Sequence, residues 1–240
     1  MIKVIVHITK AIVAVIASLL FASCNLGING SGNVTTENRT VNGEFTSVSA
    51  DGGLEVIIEQ SAQTSITVEA DDNLQEHIKT EVVNGELILS FDTNVSNSKV
   101  SRVIIHLPNI KGITADGGSS VASKGTLKGD AMTITSDGGS SLQLNVVAKS
   151  IICDSEGGSS LEIIGRTENL EIDASSASSL DAQKLMTKNA TVNASSASSV
   201  IVNATDKLIA DASSASSISY ISTPLKLEKK VDSAASISQK

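Results

Sequence analysis

Aromatic side chains are almost missing from this 240-residue chain: there is no tryptophan, Tyr220 is the single tyrosine, and there are three phenylalanines. Such rings fill globular cores, stack on sugars and grip bases. The core must therefore be built from Ile, Val, Leu and Ala, without aromatic sugar clamps or base-stacking platforms. Histidine is confined to positions 7, 77 and 106, with no Cys or second His at metal-ligand spacing, so His77 and His106 are read as solvated surface residues. No Gly-x-Ser-x-Gly elbow is present and no histidine falls in the serine-rich half, which argues against serine hydrolysis. Basic patches are lacking too. The 18 Lys and Arg are outnumbered by 26 Asp and Glu, for a formal net charge of −8, which argues against nucleic acid as a partner and against charge-driven attachment to anionic lipid.

What is present is an ordinary globular share of apolar residues, 40% hydrophobic against 18% charged, enough for one good-sized core or two small ones. The chain opens with two lysines and an apolar stretch, Ala11 to Leu20 with Ser18 its one polar residue, that is too short to span a bilayer and suits a signal peptide over residues 1–23. It ends in "LLFASC", which resembles the bacterial lipobox, the motif whose cysteine is acylated and becomes the new N-terminus. Cys24 is the expected lipidation site, and membrane attachment through that anchor the expected partner. Phe21 departs from the usual leucine, and an ordinary secretory signal with an incidental cysteine is the alternative. Residues 24–43 are polar and Gly-rich without periodicity, as a flexible tether would be. Cys153 occupies the repeat position of Ile134 and Ile172, so it reads as a buried apolar residue and no structural disulfide is expected.

The second half repeats a small polar phrase: "DGGSS" at Asp116 and Asp137, "EGGSS" at Glu156, "SSASS" at Ser175, Ser195 and Ser213, and "SAAS" at Ser233. A period of about 20 residues is a solenoid signature. Apolar residues alternate before the phrase, as in Leu170-Ile172-Ala174, and after it, as in Leu161-Ile163, so each phrase is a corner between two short strands. Glycines at 117, 118, 138, 139, 157 and 158 admit backbone angles closed to other residues, and the later Ser and Ala suggest a softer bend. The expected fold class is all-β: a single-stranded parallel β-helix, or β-solenoid, of about 20 residues per coil, with right-handed crossovers as the general rule for parallel strands. It runs from 44 to 240, less regular over 44–110 and regular over 111–240. Asp51 lies about three periods before Asp116, and Asn84-Gly85 between apolar runs signals a hairpin.

The columns such stacking creates suggest one chemical constellation. Asp154, Asp173, Asn193 and Asp211 share a repeat position, and Asp116, Asp137 and Glu156 lie two residues further along their coils. Asp137, Asp154, Glu156 and Asp173 are thereby candidate oxygen ligands for Ca²⁺. The plainer reading is that they initiate corners by local side-chain to backbone bonds and face water. No catalytic residue and no cofactor is assigned. The period rules out a nine-residue calcium roll, and a phosphate loop would need a Lys and a helix behind it.

The order of the lipobox, "INGSGNVTTENRTV", "FTSVSADGGLEVII", "TVEADDNL" and the repeated "DGGSS" resembles the bacterial family called putative auto-transporter adhesin, head GIN domain, over nearly the whole mature chain. The resemblance implies a β-solenoid, an extracytoplasmic lipoprotein and adhesion to an extracellular glycan or protein; it supplies no catalytic residues. The expected location is the cell envelope, lipid-anchored, in the outer membrane of a Gram-negative bacterium. Three alternatives stay open: a polysaccharide-active β-helix enzyme, a structural envelope protein or cation-binding solenoid, and a crystal-binding array of hydroxyls.

Overall fold

The computed structural model describes residues 27–232 and 234–240; the leader and Cys24 lie outside the described residues. The fold is a β-solenoid of about 7 turns with about 19 residues per turn. Parallel strands stack in register on two faces. On one face the inward positions Leu87, Val48, Ile113, Ile134, Cys153, Ile172, Val192 and Ala210 form a single buried column. The column expected from the repeat is therefore present, with Cys153 as a free, fully buried thiol. Burial pushes that thiol well above its usual range, so it acts as an apolar filler rather than a nucleophile. No coil can bury its apolar face alone; each supplies the floor of the next.

A corner closes each coil. In Asp116–Ser119 the Ser119 N–H donates to the Asp116 carbonyl at 3.0 Å, and the same bond recurs from Ser140, Ser159, Ser178, Ser198 and Ser216. These six serines are buried. Each also donates its hydroxyl to a carbonyl of the preceding coil, as Ser140 Oγ does to Ala115 O at 2.9 Å and Ser178 Oγ to Ser155 O at 2.8 Å. A buried hydroxyl is tolerable only when paired, and here it ties one coil to the next. That is why the phrase is repeated.

The later corners are not softer. Ser176 and Ala177 have φ of 56° and 63°, and Ser196, Ala197, Ser214 and Ala215 match them, in the same left-handed region as Gly157 and Gly158. What distinguishes the glycine coils is the neighbour beneath. A Cβ on Gly138 would collide with Asp116 Oδ1 and one on Gly157 with Asp137 Oδ1, because each aspartate folds over its own corner to accept the next backbone N–H at 2.6 Å. Ser176 follows Glu156, and Ser196 follows Ser175. The first corner residue of one coil thus bears on the first glycine of the next pair; the second glycines, 118, 139 and 158, meet nothing.

At the opposite bend the inward alternation slips, with Ala148 and Ile151, then Thr167 and Leu170, buried three residues apart. Outside it runs a ladder of alternating charge. Lys149 reaches Asp130 at 2.8 Å and Lys188 reaches Glu168 at 3.1 Å. Exposed pairs of this kind contribute little each, and the alternation favours the observed register.

The N-terminal part departs from simple succession. Strands Ser47–Ala50 and Glu55–Gln60 stack directly on Gly112–Ala115 and Ser120–Ser123, so Asp51 and Asp116 are one coil apart in space, not three. The intervening chain folds back to the other side, placing Glu86–Phe91 and Ser101–Leu107 on the outer edge of that first coil. Antiparallel strands then close this end: Ile78–Val83 through the expected Asn84-Gly85 turn, and Ser65–Asp71 followed by Val34–Arg39. The expected tether is accordingly corrected for much of its length. Val34–Arg39 is a fully paired strand, hidden from a periodicity search because it is an edge strand with water against most of both sides.

Candidate binding surfaces

The register places the acidic candidates as the repeat implied, but not as a cage. Asp154 lies beneath Asp173, and above that follow Asn193, Asp211 and finally Lys230. Asn193 Nδ2 donates to Asp173 Oδ1 at 2.8 Å and Lys230 Nζ pairs with Asp211 at 2.7 Å. From Asp173 upward the column thus alternates acceptor with donor. Asp137 is turned onto the Gly138 N–H, and Glu156 is exposed at the neighbouring corner. Among the described residues no three His, Cys, Asp or Glu side chains come together as a metal site. A shallow open groove of about 490 Å³ follows this edge, lined by Glu156, Asp173, Asn193, Asp211, Lys230 and Asp232 among others.

Asp154 is the unrelieved member. Partial burial, then the charges of Asp173, Glu156 and Glu171, hold its carboxyl above the usual Asp range. A carboxyl raised in the folded state gives stability that is intact below the unfolded pKa and lost as pH rises through the folded one. Asp154→Asn removes the like charge and supplies an amide that can bond Asp173 as Asn193 does. Thermal melts should show a gain of about 0.5 kcal/mol at neutral pH and none below about pH 4; a gain that grows as pH falls contradicts this assignment.

One arrangement was not foreseen from sequence. On an outward sheet face Ser65 Oγ lies 3.0 Å from His106 Nδ1, and His106 Nε2 lies 3.2 Å from Glu59 Oε2. The order copies a nucleophile, base and acid. The side chains are directly opposite one another on three adjacent strands, exposed or half-buried. Lys124 takes the same Glu59 oxygen at 3.1 Å and, with His106, holds that carboxyl below its usual range. Acyl transfer depends on donors aimed at an oxyanion in a site that excludes water. An open sheet face does not exclude water, so the row is a cross-strand polar ladder.

A second unforeseen feature is a clasp formed by Gly27-Ile28-Asn29 and the residues that follow. Ile28–Asn29 pairs in parallel with Val95–Asn97. Ser31 N donates to Asn73 Oδ1 at 2.8 Å, Asn73 Nδ2 to Asn29 O at 2.9 Å, and Asn33 Nδ2 to Asp72 Oδ2 at 2.9 Å. Asp71 beside it is fully buried, with Oδ2 accepting the Lys99 N–H at 2.7 Å. The polar composition that suggested a tether is the material of this clasp.

A two-faced stack of parallel coils with outward polar columns defines the chain as a β-solenoid repeat protein. The chain belongs to the family described as putative auto-transporter adhesin, head GIN domain, whose model matches residues 44–224. No curated protein matches it. Among solved structures, the fold is shared with a putative adhesin of Bacteroides fragilis, 21% identical with a TM-score of 0.84, covering 89% of this chain and 100% of that one. A putative adhesin of Parabacteroides distasonis is 19% identical, with a TM-score of 0.73 and 89% and 100% coverage. A putative lipid binding protein of the same species is 20% identical, with a TM-score of 0.71 and 89% and 99% coverage.

Proposed function

We propose that this protein is a non-catalytic adhesive module of the cell envelope, held by a lipid on Cys24 and binding an extracellular glycan or protein through many equivalent contacts. The observation that carries the reading is the continuity of the polar columns: the same outward position is presented coil after coil, about 4.8 Å apart, as in the groove from Glu156 to Lys230. Weak contacts in such an array gain strength by multivalency. The enzymatic alternative finds no support in the open row of Ser65, His106 and Glu59, nor the cation-binding one in Asp137, Asp154, Glu156 and Asp173.

The clasp gives the anchor a physical consequence. Gly27 is only three residues after Cys24, a span of at most about 10 Å, so an acylated Cys24 would hold the capped end of the solenoid close to the bilayer. Metabolic palmitate labelling of wild type and Cys24→Ser tests the anchor. Label should be lost and the protein released in the variant; equal labelling of the two would sink the lipoprotein reading. A glycan and matrix-protein screen then identifies the surface bound.

A further inference from the structure

The two ends of the solenoid are protected differently. At the N-terminal end the outermost parallel strands, Glu86–Phe91 and Ser101–Leu107, are each covered by an antiparallel strand. At the other end, among the described residues, Lys226–Val231 and Ser236–Gln239 pair only with the coil beneath. Leu225 is 90% exposed, Val231 51% and Leu227 36%. Free strand edges beside uncovered apolar side chains invite pairing with another chain.

Lys229 stands at the centre of this end. Its register partner is the buried Ala210, so it continues the inward column that runs through Ile172 and Val192. Every other member of that column is apolar. The Lys229 ammonium turns across the open core, 3.0 Å from Tyr220 Oη, 3.4 Å from the Ile237 carbonyl and 4.6 Å from the centre of the Tyr220 ring. The single tyrosine of the chain thus supplies both a hydroxyl and a ring face to this cation.

The surrounding sequence fits one occupant well, a second copy of itself. Strand Lys226–Val231 can lie antiparallel against the same strand of another molecule with Lys229 opposite Lys229, the arrangement that keeps both sets of inward residues on the core side. Leu227 then faces Val231, Glu228 faces Lys230, and Lys226 faces Asp232. The present partners of these charges, Glu228 for Lys226 at 2.8 Å and Asp211 for Lys230 at 2.7 Å, are exposed pairs that exchange at little cost. All the pairs are compatible except the central one, which opposes two ammonium groups in a space closing to water.

We propose that Lys229 is a stop residue: it keeps this end from pairing with a second copy of the chain, and its removal turns the end into a two-fold dimer interface. Sedimentation equilibrium on the purified mature protein tests this. Lys229→Ile should give concentration-dependent doubling of the wild-type mass, and Lys229→Arg should leave the mass unchanged. Adding Glu228→Lys to Lys229→Ile should restore the wild-type mass, and further adding Lys230→Glu should double it again, because those two positions face each other. Lys229→Met, which retains the aliphatic stem, serves where Lys229→Ile does not fold by circular dichroism. A folded Ile or Met variant that keeps the wild-type mass up to high concentration overturns the proposal, as does an association indifferent to the charge at 228.

Discussion

Ile172→Asp should remove most of the stability of the fold. Ile172 is fully buried between Cys153 below and Val192 above, in the middle of the inward column. The substitution deletes a buried aliphatic side chain and puts a carboxyl with no partner in its place, which together should cost about 4 kcal/mol or more. Stabilities of whole domains are commonly about 5–15 kcal/mol, so little would remain. Four residues on, Ser176→Asp should change stability by no more than about 0.5 kcal/mol. Ser176 is exposed and its φ of 56° lies where Asp is tolerated better than most residues. Denaturant midpoints of the two variants check the register; similar midpoints would mean that the inward and outward positions are misassigned.

Gly157→Ser should destabilise by about 2–3 kcal/mol, although Ser occupies the equivalent position one coil later. Part of that is the left-handed backbone, about 1–2 kcal/mol for a residue with a Cβ. The remainder comes from the neighbour: the new Cβ meets Asp137 Oδ1 and displaces it from the Gly138 N–H. In an Asp137→Ser background the aspartate's share disappears while the contact with the Gly138 backbone nitrogen remains, leaving the cost of Gly157→Ser about 1 kcal/mol smaller. A double-mutant cycle by thermal or chemical unfolding reads this coupling directly. Strictly additive effects would show that backbone conformation alone places these glycines.

Much of the fold could be read from residues because a solenoid writes its periodicity into the chain. Ile134, Cys153, Ile172 and Val192 are spaced by one coil, and strand alternation on either side of each corner assigns them inward. Reading failed where the information lies in partners distant in sequence. Nothing local says that Ser47–Ala50 stacks on Gly112–Ala115 across an insertion that doubles back. Val34–Arg39 has no apolar rhythm, since it covers an end rather than filling the core. The Ser-Ala corners looked relaxed because glycine was credited with backbone freedom; its role at 138 and 157 is room for an aspartate one coil away. Candidate surface residues were legible as columns. Their chemistry was not, because whether stacked acids bind a cation or find donors depends on neighbours such as Asn193 and Lys230.

Attachment strength as a function of the number of altered coils tests the central claim most directly. Beads coated with the protein would be presented to a surface identified by the binding screen, comparing Asp173→Asn alone with joint replacement of Glu156, Asp173 and Asp211 by their amides, which leaves the shape of the groove intact. If binding is distributed along the stack, the single change should weaken attachment only a few-fold and the joint change far more steeply, because affinities along one array combine multiplicatively. Complete loss on a single substitution in a protein that melts like wild type would locate binding at one discrete site and contradict the account.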